Sequence, residues 1–425
     1  MTNRPLLIAG ARTADGVARD LHIRDGVLVD AADAAPDAER IDADGLLALP
    51  GLVDLHTHLR EPGREDAETV ASGTRAAARG GFTCVHAMPN TDPVTDTAEA
   101  AEYVAALGVR DGSCQVVPVG AISKGLAGEE LAELGMMARS SAKVRVFSDD
   151  GRCVTDSLLM RRALTYVTAF DGVIAQHSQD TRLAGPGACC HESEISGRLG
   201  LTGWPAQAES VIIARDVQLA ELAGARLHVC HVSTAEGVEV IRWAKARGVQ
   251  VTAEATPHHL LLDTALVGGF DTVFKVNPPL RTDEHREAVR EALADGTIDA
   301  VATDHAPHAA QDKDHPFDVA LPGMLGLEQA LGVVLEAMVN TGRMSWPTLV
   351  DRMSAAPARI GRVAGQGRPL TIGEPANVVL VDPTARAVVD RDQSASRSRN
   401  NPYHGLDLPD PVVATIWAGR ITHRR

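Results

Sequence analysis

Residues 49–63 read LPGLVDLHTHLREPG. The run Leu52-Val53-Asp54-Leu55 is apolar enough for a buried strand, yet it empties into His56-Thr57-His58, with Arg60 two residues on. Residues two apart in a strand project to the same face, so His56 and His58 point together into whatever lies at the strand's end. Two imidazoles placed this way are either hydrogen-bonded core residues or ligands. The pair alone does not choose between them, and the rest of the chain does.

Strand-length apolar runs recur downstream: GFTCVHAMPN (81–90), CQVVPVGA (114–121), KVRVFSDDG (143–151), GVIAQHSQD (172–180), RLHVCHVS (226–233), VQVTAEATPHH (249–259) and IDAVATDHAPH (298–308). Helix-patterned segments separate most of them, among them ETVASGTRAAARGG (68–81), AEGVEVIRWAKARG (235–248) and DEHREAVREALADG (283–296). Gly80, Gly248 and Gly296 are placed as helix stops. Alternating strands and helices imply a parallel sheet, and eight repeats imply an α/β fold closed as a (β/α)8 TIM-like barrel. The stretch DTVFKVNPPL (271–280) is read as a loop.

Both chain ends are different. PLLIAGA (5–11), DLHIRDGVLVD (20–30) and GLLALP (45–50) are short strand-like runs, with Asp25-Gly26 a hairpin turn. ANVVLVDP (376–383), RAVVD (386–390) and VVATIWAGRITHR (412–424) resemble them. The two ends are therefore expected to pair into one small β domain, built from residues 1–50 and 361–425, with the barrel over 51–360 inserted between them.

The strand ends of a barrel carry its chemistry on the C-terminal face. Here the first ends in His56 and His58, the fourth in Asp149-Asp150, the fifth in His177, the sixth in His231 and the eighth in Asp304. A lone histidine at a strand end is ordinarily structural. Four histidines with aspartates converging on one mouth point to metal, and imidazole with carboxylate and no thiolate suits Zn²⁺ and similar divalent ions. Five or six ligands are too many for one tetrahedral ion, so two ions sharing a carboxylate is the economical arrangement. Cys189-Cys190-His191 fits no zinc spacing. His258 and His259 are adjacent and diverge, and both are read as structural. His305 is read as supporting a ligand rather than being one.

The bulk numbers limit the partners. The 425 residues are 44% hydrophobic and carry a formal net charge of −15, a poor match for nucleic acid or anionic membrane. No window approaches the ~18–20 apolar residues of a membrane span. The N-terminal apolar stretch is too short for a secretory signal, and six scattered cysteines make no disulfide framework. A reduced, cytoplasmic setting is the expectation.

The motifs DLHTHLREPG, AMPNTDP, FSDDG, QHSQD, HVCHVST, ATPHHL, KVNPPLR, ATDHAPH and LPGMLGLE, in this order over essentially the whole chain, resemble the amidohydrolase superfamily and, within it, the bacterial class I dihydroorotases. The resemblance implies a composite β-sandwich assembled from both ends. It implies His56 and His58 on a first zinc with Asp304 beside it, His177 and His231 on a second, and Asp150 bridging. It places the substrate's carboxylate on Arg60 and Asn90, with His58 and His308 also near the substrate, and the ring edge against Asn277, Pro322 and Gly323. Many relatives bridge their metals with a carboxylated lysine. Here Lys143 begins the fourth run, seven residues before Asp150, too far from the mouth, and Asp149 should face away. The implied reaction is reversible closure of N-carbamoyl-L-aspartate to (S)-dihydroorotate in pyrimidine synthesis, with a hydroxide bridging the metals and Asp304 as general acid and base. A homo-oligomer and a complex with aspartate transcarbamoylase are expected partners. The competing readings are a dihydropyrimidinase- or allantoinase-like amidase and a non-catalytic scaffold for aspartate transcarbamoylase. Residues 309–321 are expected to act as a lid.

Overall fold

The computed structural model describes residues 4–425. Eight parallel strands follow the eight apolar runs: β1 Leu52–Thr57, β2 Phe82–Ala87, β3 Gln115–Pro118, β4 Val146–Phe147, β5 Val173–Gln176, β6 Arg226–Val229, β7 Val251–Ala255 and β8 Ala300–Val301. They pair in chain order as two arcs, β1 to β3 and β4 to β8. Single bridges close the arcs into a ring, Gly120 to Phe147 on one side and Thr57 to His305 on the other.

Residue alternation sorts the two faces of the ring. Ile174, Phe147 and Leu227 join a large core that includes the helix residues Ala77, Leu164, Ile213, Ile241 and Leu293. Their neighbours Val146, Val173 and Ala175 instead meet Met88, Val119 and Cys230 in a small cluster to which no helix contributes. The helices start where threonine supplies the missing acceptor: Thr69, Thr97 and Thr234 each cap the backbone N–H three residues on. Gly248 and Gly296 have the left-handed φ of a helix stop, 80° and 89°. Gly80 differs, with right-handed φ of −81°, and the left-handed residue is Gly81. Gly80 is small for another reason: a Cβ there would lie 2.1 Å from the Leu327 carbonyl oxygen.

The two chain ends interleave in one eight-stranded sheet. Leu6–Thr13 pairs with Ala18–Arg24, with Glu39–Asp42 and with Leu47–Pro50. Leu47–Pro50 then runs antiparallel to Val378–Val381, which pairs with Val412–Trp417, and that with Arg420–Arg424. Asp25-Gly26 makes the expected tight turn, both residues at positive φ. One apolar cluster, including Ile8, Ile23, Ile41, Val378 and Ile416, takes side chains from both ends. The run 386–390 does not join this sheet. Arg386–Val388 is exposed along its length and, among the described residues, pairs as a strand only with Asp407–Pro409.

Candidate active site

Asp150 sits at the centre of the site. Its Oδ1 lies 3.1 Å from His56 Nε2, 3.5 Å from His177 Nδ1 and 3.4 Å from His231 Nε2, and its Oδ2 lies 3.3 Å from His58 Nε2. Asp304 Oδ1 is 3.1 Å from His58 Nε2 and 3.5 Å from His56 Nε2. All six residues are buried. The strand-end histidines and aspartates therefore meet at one mouth, as the ring requires.

Four overlapping groups of donor atoms here have the compactness of a metal site: His56–His58–Asp150, Asp150–His177–His231, His56–His231–Asp304 and His56–Cys230–Glu254, each within 4.8 Å. Two local features fit a divalent cation. His56 Nε2 is buried and makes no hydrogen bond, although carboxylate oxygens surround it. His177 Nδ1 and His231 Nε2 stand 3.0 Å apart, two imidazole nitrogens directed at each other beside a carboxylate. A cation between such atoms relieves both arrangements.

Charge follows the same geometry. Burial pushes the Asp150 carboxyl up, but the His56 charge and hydrogen bonds from His177 and His231 outweigh it and hold the group well below the usual carboxylate range. Asp304 is likewise held low: burial opposes, and His56 and then His58 prevail. For His56, burial disfavours the cation, but Asp150 and Asp304 raise its pKa above the ordinary imidazole value. His58 is lowered by burial, only partly offset by Asp304.

Three polar residues not foreseen from the sequence hold the candidate ligands in place. Glu254, in β7, accepts from His56 Nδ1 at 2.8 Å and from His228 Nε2 at 2.9 Å. Gln179 Oε1 is 3.0 Å from His177 Nε2 and 3.1 Å from Asn277 Nδ2, so Asn277 reaches the site through it. Glu209 accepts from the backbone N–H and hydroxyl groups of Ser233 and Thr234, just after His231, and Arg281 Nε reaches the same Ser233 hydroxyl at 3.1 Å. The only sequence signal for Glu254 was a carboxylate inside an apolar run.

Asn90 carries an additional part. Its Oδ1 lies 2.9 Å from His58 Nδ1, fixing that ring's orientation. Arg60 Nε donates to the Pro307 carbonyl at 3.0 Å, Nη2 lies 3.5 Å from His308 Nε2, and Nη1 is unengaged among the described residues. His308 Nε2 in turn donates to the Pro322 carbonyl at 2.9 Å. At Gly323 (φ 148°) a Cβ would stand 2.7 Å from that ring nitrogen, so only glycine fits. Arg60, His308, Pro322 and Gly323 thus form one wall.

Asp149 turns away, as expected, and accepts from the backbone N–H groups of Ile122 and Ser123 at 2.8 and 2.9 Å. Lys143 does not begin β4. It lies exposed in the preceding turn at φ 53°. Cys189 and Cys190 pack with Val267 and Phe317, and His191 receives Arg281 at 3.1 Å, a structural role. His259 is held by Thr256 and the Pro278 carbonyl. His258 is different: it is fully buried, both ring nitrogens lack partners, and burial lowers its pKa to about 4. His305 receives the His58 backbone N–H on its carbonyl and places its ring near Glu68. Segment 309–321 is seated rather than open. It holds a short helix, Ala310–Lys313, buries Phe317, and is tied down by Lys275 and Lys313 donating to backbone carbonyls.

The structure is similar to the L-hydantoinase (dihydropyrimidinase) from Arthrobacter aurescens, TM-score 0.88 and 25% identity, covering 100% of this chain and 96% of that one. It is also similar in fold to the dihydropyrimidinase from Brevibacillus agri, TM-score 0.87 and 22% identity over 99% and 95% of the two chains. Fold and site together define an enzyme of the amidohydrolase class. Residues 45–237 match a family model described as dihydro-orotase-like. The chain is 57% identical to the dihydroorotase of Streptomyces coelicolor over 98% of its length and 97% of that protein's, and 51% identical to that of Mycobacterium tuberculosis over 99% and 98%. It belongs to the dihydroorotase family.

Proposed function

We propose that this enzyme is a dihydroorotase that closes N-carbamoyl-L-aspartate to (S)-dihydroorotate, and reopens it, in de novo pyrimidine synthesis. One observation carries the reading to this substrate: Arg60 stands beside the Asp150–Asp304 cluster with Nη1 unengaged, a planar fork ready for a ring carboxylate. The substrates of a dihydropyrimidinase carry no such group.

The residues that would hold the metal are His56, His58 and Asp304 on one side and His177 and His231 on the other, with Asp150 between them, as in the aspartate-bridged class I enzymes. Two Zn²⁺ ions suit this donor set. Such ions would supply Lewis acidity, lowering the pKa of water and polarising the amide carbonyl. Asp304, ionised in its setting, takes the attacking water's proton and passes it to the leaving ring nitrogen. In the synthetic direction it takes the ureido proton, and the nitrogen closes on the carboxyl carbon with loss of water. Arg60, His308 and the Pro322-Gly323 backbone hold the substrate, with Asn90 aligning His58 and Asn277 facing the ring edge. Segment 309–321 closes the site from water.

The ring is the (β/α)8 barrel, over 51–360, and the interleaved ends, 1–50 and 361–425, form the composite β-sandwich domain. The enzyme works in the cytoplasm as a homo-oligomer and associates with aspartate transcarbamoylase. The test is dihydroorotate hydrolysis by purified protein with metal analysis, for wild type and Asp304→Asn. The variant should lose roughly 10²–10⁴-fold in rate. No activity in the wild type, with zinc and aspartate transcarbamoylase supplied, overturns the assignment.

A further inference from the structure

A cavity of about 670 Å³ lies outside the His308 wall, between the segment around Arg391–Asn400 and the loop His308–Asp314. That is the size of a small-molecule site. Three arginines line it, Arg391, Arg397 and Arg399. The chain has an acidic excess, 56 acidic against 41 basic residues, and three arginines on one cavity concentrate positive charge within it. Yet the guanidinium groups of Arg391 and Arg397 have no partner among the described residues, while their backbone N–H groups are anchored on His404 and Glu68. Arg399 is pre-set by Nη1 donating to the carbonyls of Ser396, Arg397 and Ser398.

The opposing charges are mostly occupied. Asp66 accepts from Gln311 and lies 3.8 Å from Arg64, and Asp271 caps the Val273 N–H. Asp314 alone of these is unpaired, and it is exposed. Lys313 adds no recognition, since its ammonium is spent on the carbonyls of Thr272, Lys275 and Leu321.

We propose that this cavity binds a compact small molecule carrying two anionic groups, held by Arg391 and Arg397 with Arg399 behind them. Guanidinium forks match phosphate and carboxylate alike, so the ligand is either a phosphorylated metabolite or a free dicarboxylate. The site has a route to the catalytic wall. Asn400 is buried, accepts from the His308 N–H, and donates to the Ala306 and Gly323 carbonyls. Binding itself does not depend on the reaction proposed above. Only its effect on catalysis does.

Calorimetric titration of the metal-loaded full chain tests this, with fructose 1,6-bisphosphate and succinate as probes. Wild type should bind at least one of them, more weakly as ionic strength rises. Arg391→Ala/Arg397→Ala should bind roughly tenfold more weakly or worse, and Arg391→Gln/Arg397→Gln should match it. Hydrogen exchange over 308–314 should slow on binding. Binding of the bisphosphate alone assigns a phosphorylated ligand, and binding of succinate as well assigns a dicarboxylate. No binding of either by the wild type, unchanged affinity in both double variants, or protection confined to other segments overturns the proposal.

Discussion

Glu254 and His56 are joined at 2.8 Å, carboxylate to Nδ1, while the other Glu254 oxygen holds His228 at 2.9 Å. The pair fixes which His56 nitrogen faces the site. Outer partners of this kind commonly control metal affinity about 10–100-fold. Glu254→Gln keeps the shape but offers an amide where a carboxylate belongs. Zinc affinity by equilibrium competition should drop within that range, while secondary structure by circular dichroism stays the same. Unchanged affinity removes Glu254 from the site's support.

Asp149 and Asp150 are neighbours with opposite jobs. Asp150→Ala should strip metal from both subsites, read as zinc per chain. Asp149→Ala should retain zinc but lose about 2–4 kcal/mol in urea unfolding, because the N–H groups of Ile122 and Ser123 and the Ser123 hydroxyl lose their acceptor. The reverse pattern would exchange their roles.

Arg60→Lys keeps the charge and removes the fork. The Pro307 contact and the free Nη1 cannot both be reproduced by one ammonium. Steady-state kinetics should show a KM for dihydroorotate raised roughly tenfold or more, with bound zinc unaltered. A KM within error of wild type would detach Arg60 from the carboxylate.

His86 sets an acid limit on stability. It is fully buried, bonded through Nδ1 to the Asp54 carbonyl at 2.8 Å, with Nε2 unpartnered. Burial lowers its pKa from 6.5 to about 4. The unfolded chain therefore binds the proton first as pH falls. The stability is fully present above about 6.5 and is lost toward about 4, by about 3 kcal/mol at most. Urea midpoints followed over that window should fall, and His86→Gln should fall less steeply. Parallel slopes would show that His86 does not titrate there.

Arg281 and Glu209 form a buried ion pair, 3.8 Å apart, behind the turn that follows His231. Arg281→Met leaves the Glu209 carboxylate without its counter-charge, which costs about 3–5 kcal/mol in comparable buried pairs. Thermal unfolding should register that loss. A melting temperature equal to wild type would mean that Ser233 and Thr234 alone satisfy Glu209.

Much of the cluster's convergence was legible because it follows from two periodicities. His56 and His58 share a face by strand alternation, and alternation with helices puts every strand end at one mouth. Asp150 came from the family resemblance, and alternation added that its neighbour Asp149 faces away. What stayed hidden depends on the ring's closure. Glu254 meets His56 only because β8 pairs with β7 and its end bridges to β1, closing the ring, and Gln179 reaches Asn277 across 98 residues of chain. No local pattern encodes such partners. Arg386–Val388 was read as part of the main sheet because β propensity says nothing of which strand is the neighbour.

The interleaved sheet has a consequence for how the protein is made. Leu47–Pro50 takes its antiparallel neighbour from Val378–Val381. During vectorial synthesis the first strands leave the ribosome with that edge open, and at about 5–20 residues per second it stays open for tens of seconds. An unpaired edge is a template for the wrong strand. The nascent chain must therefore complete its whole central ring before the open edge of Leu47–Pro50 can find its permanent partner, so residues translated late also decide the fate of an edge made early.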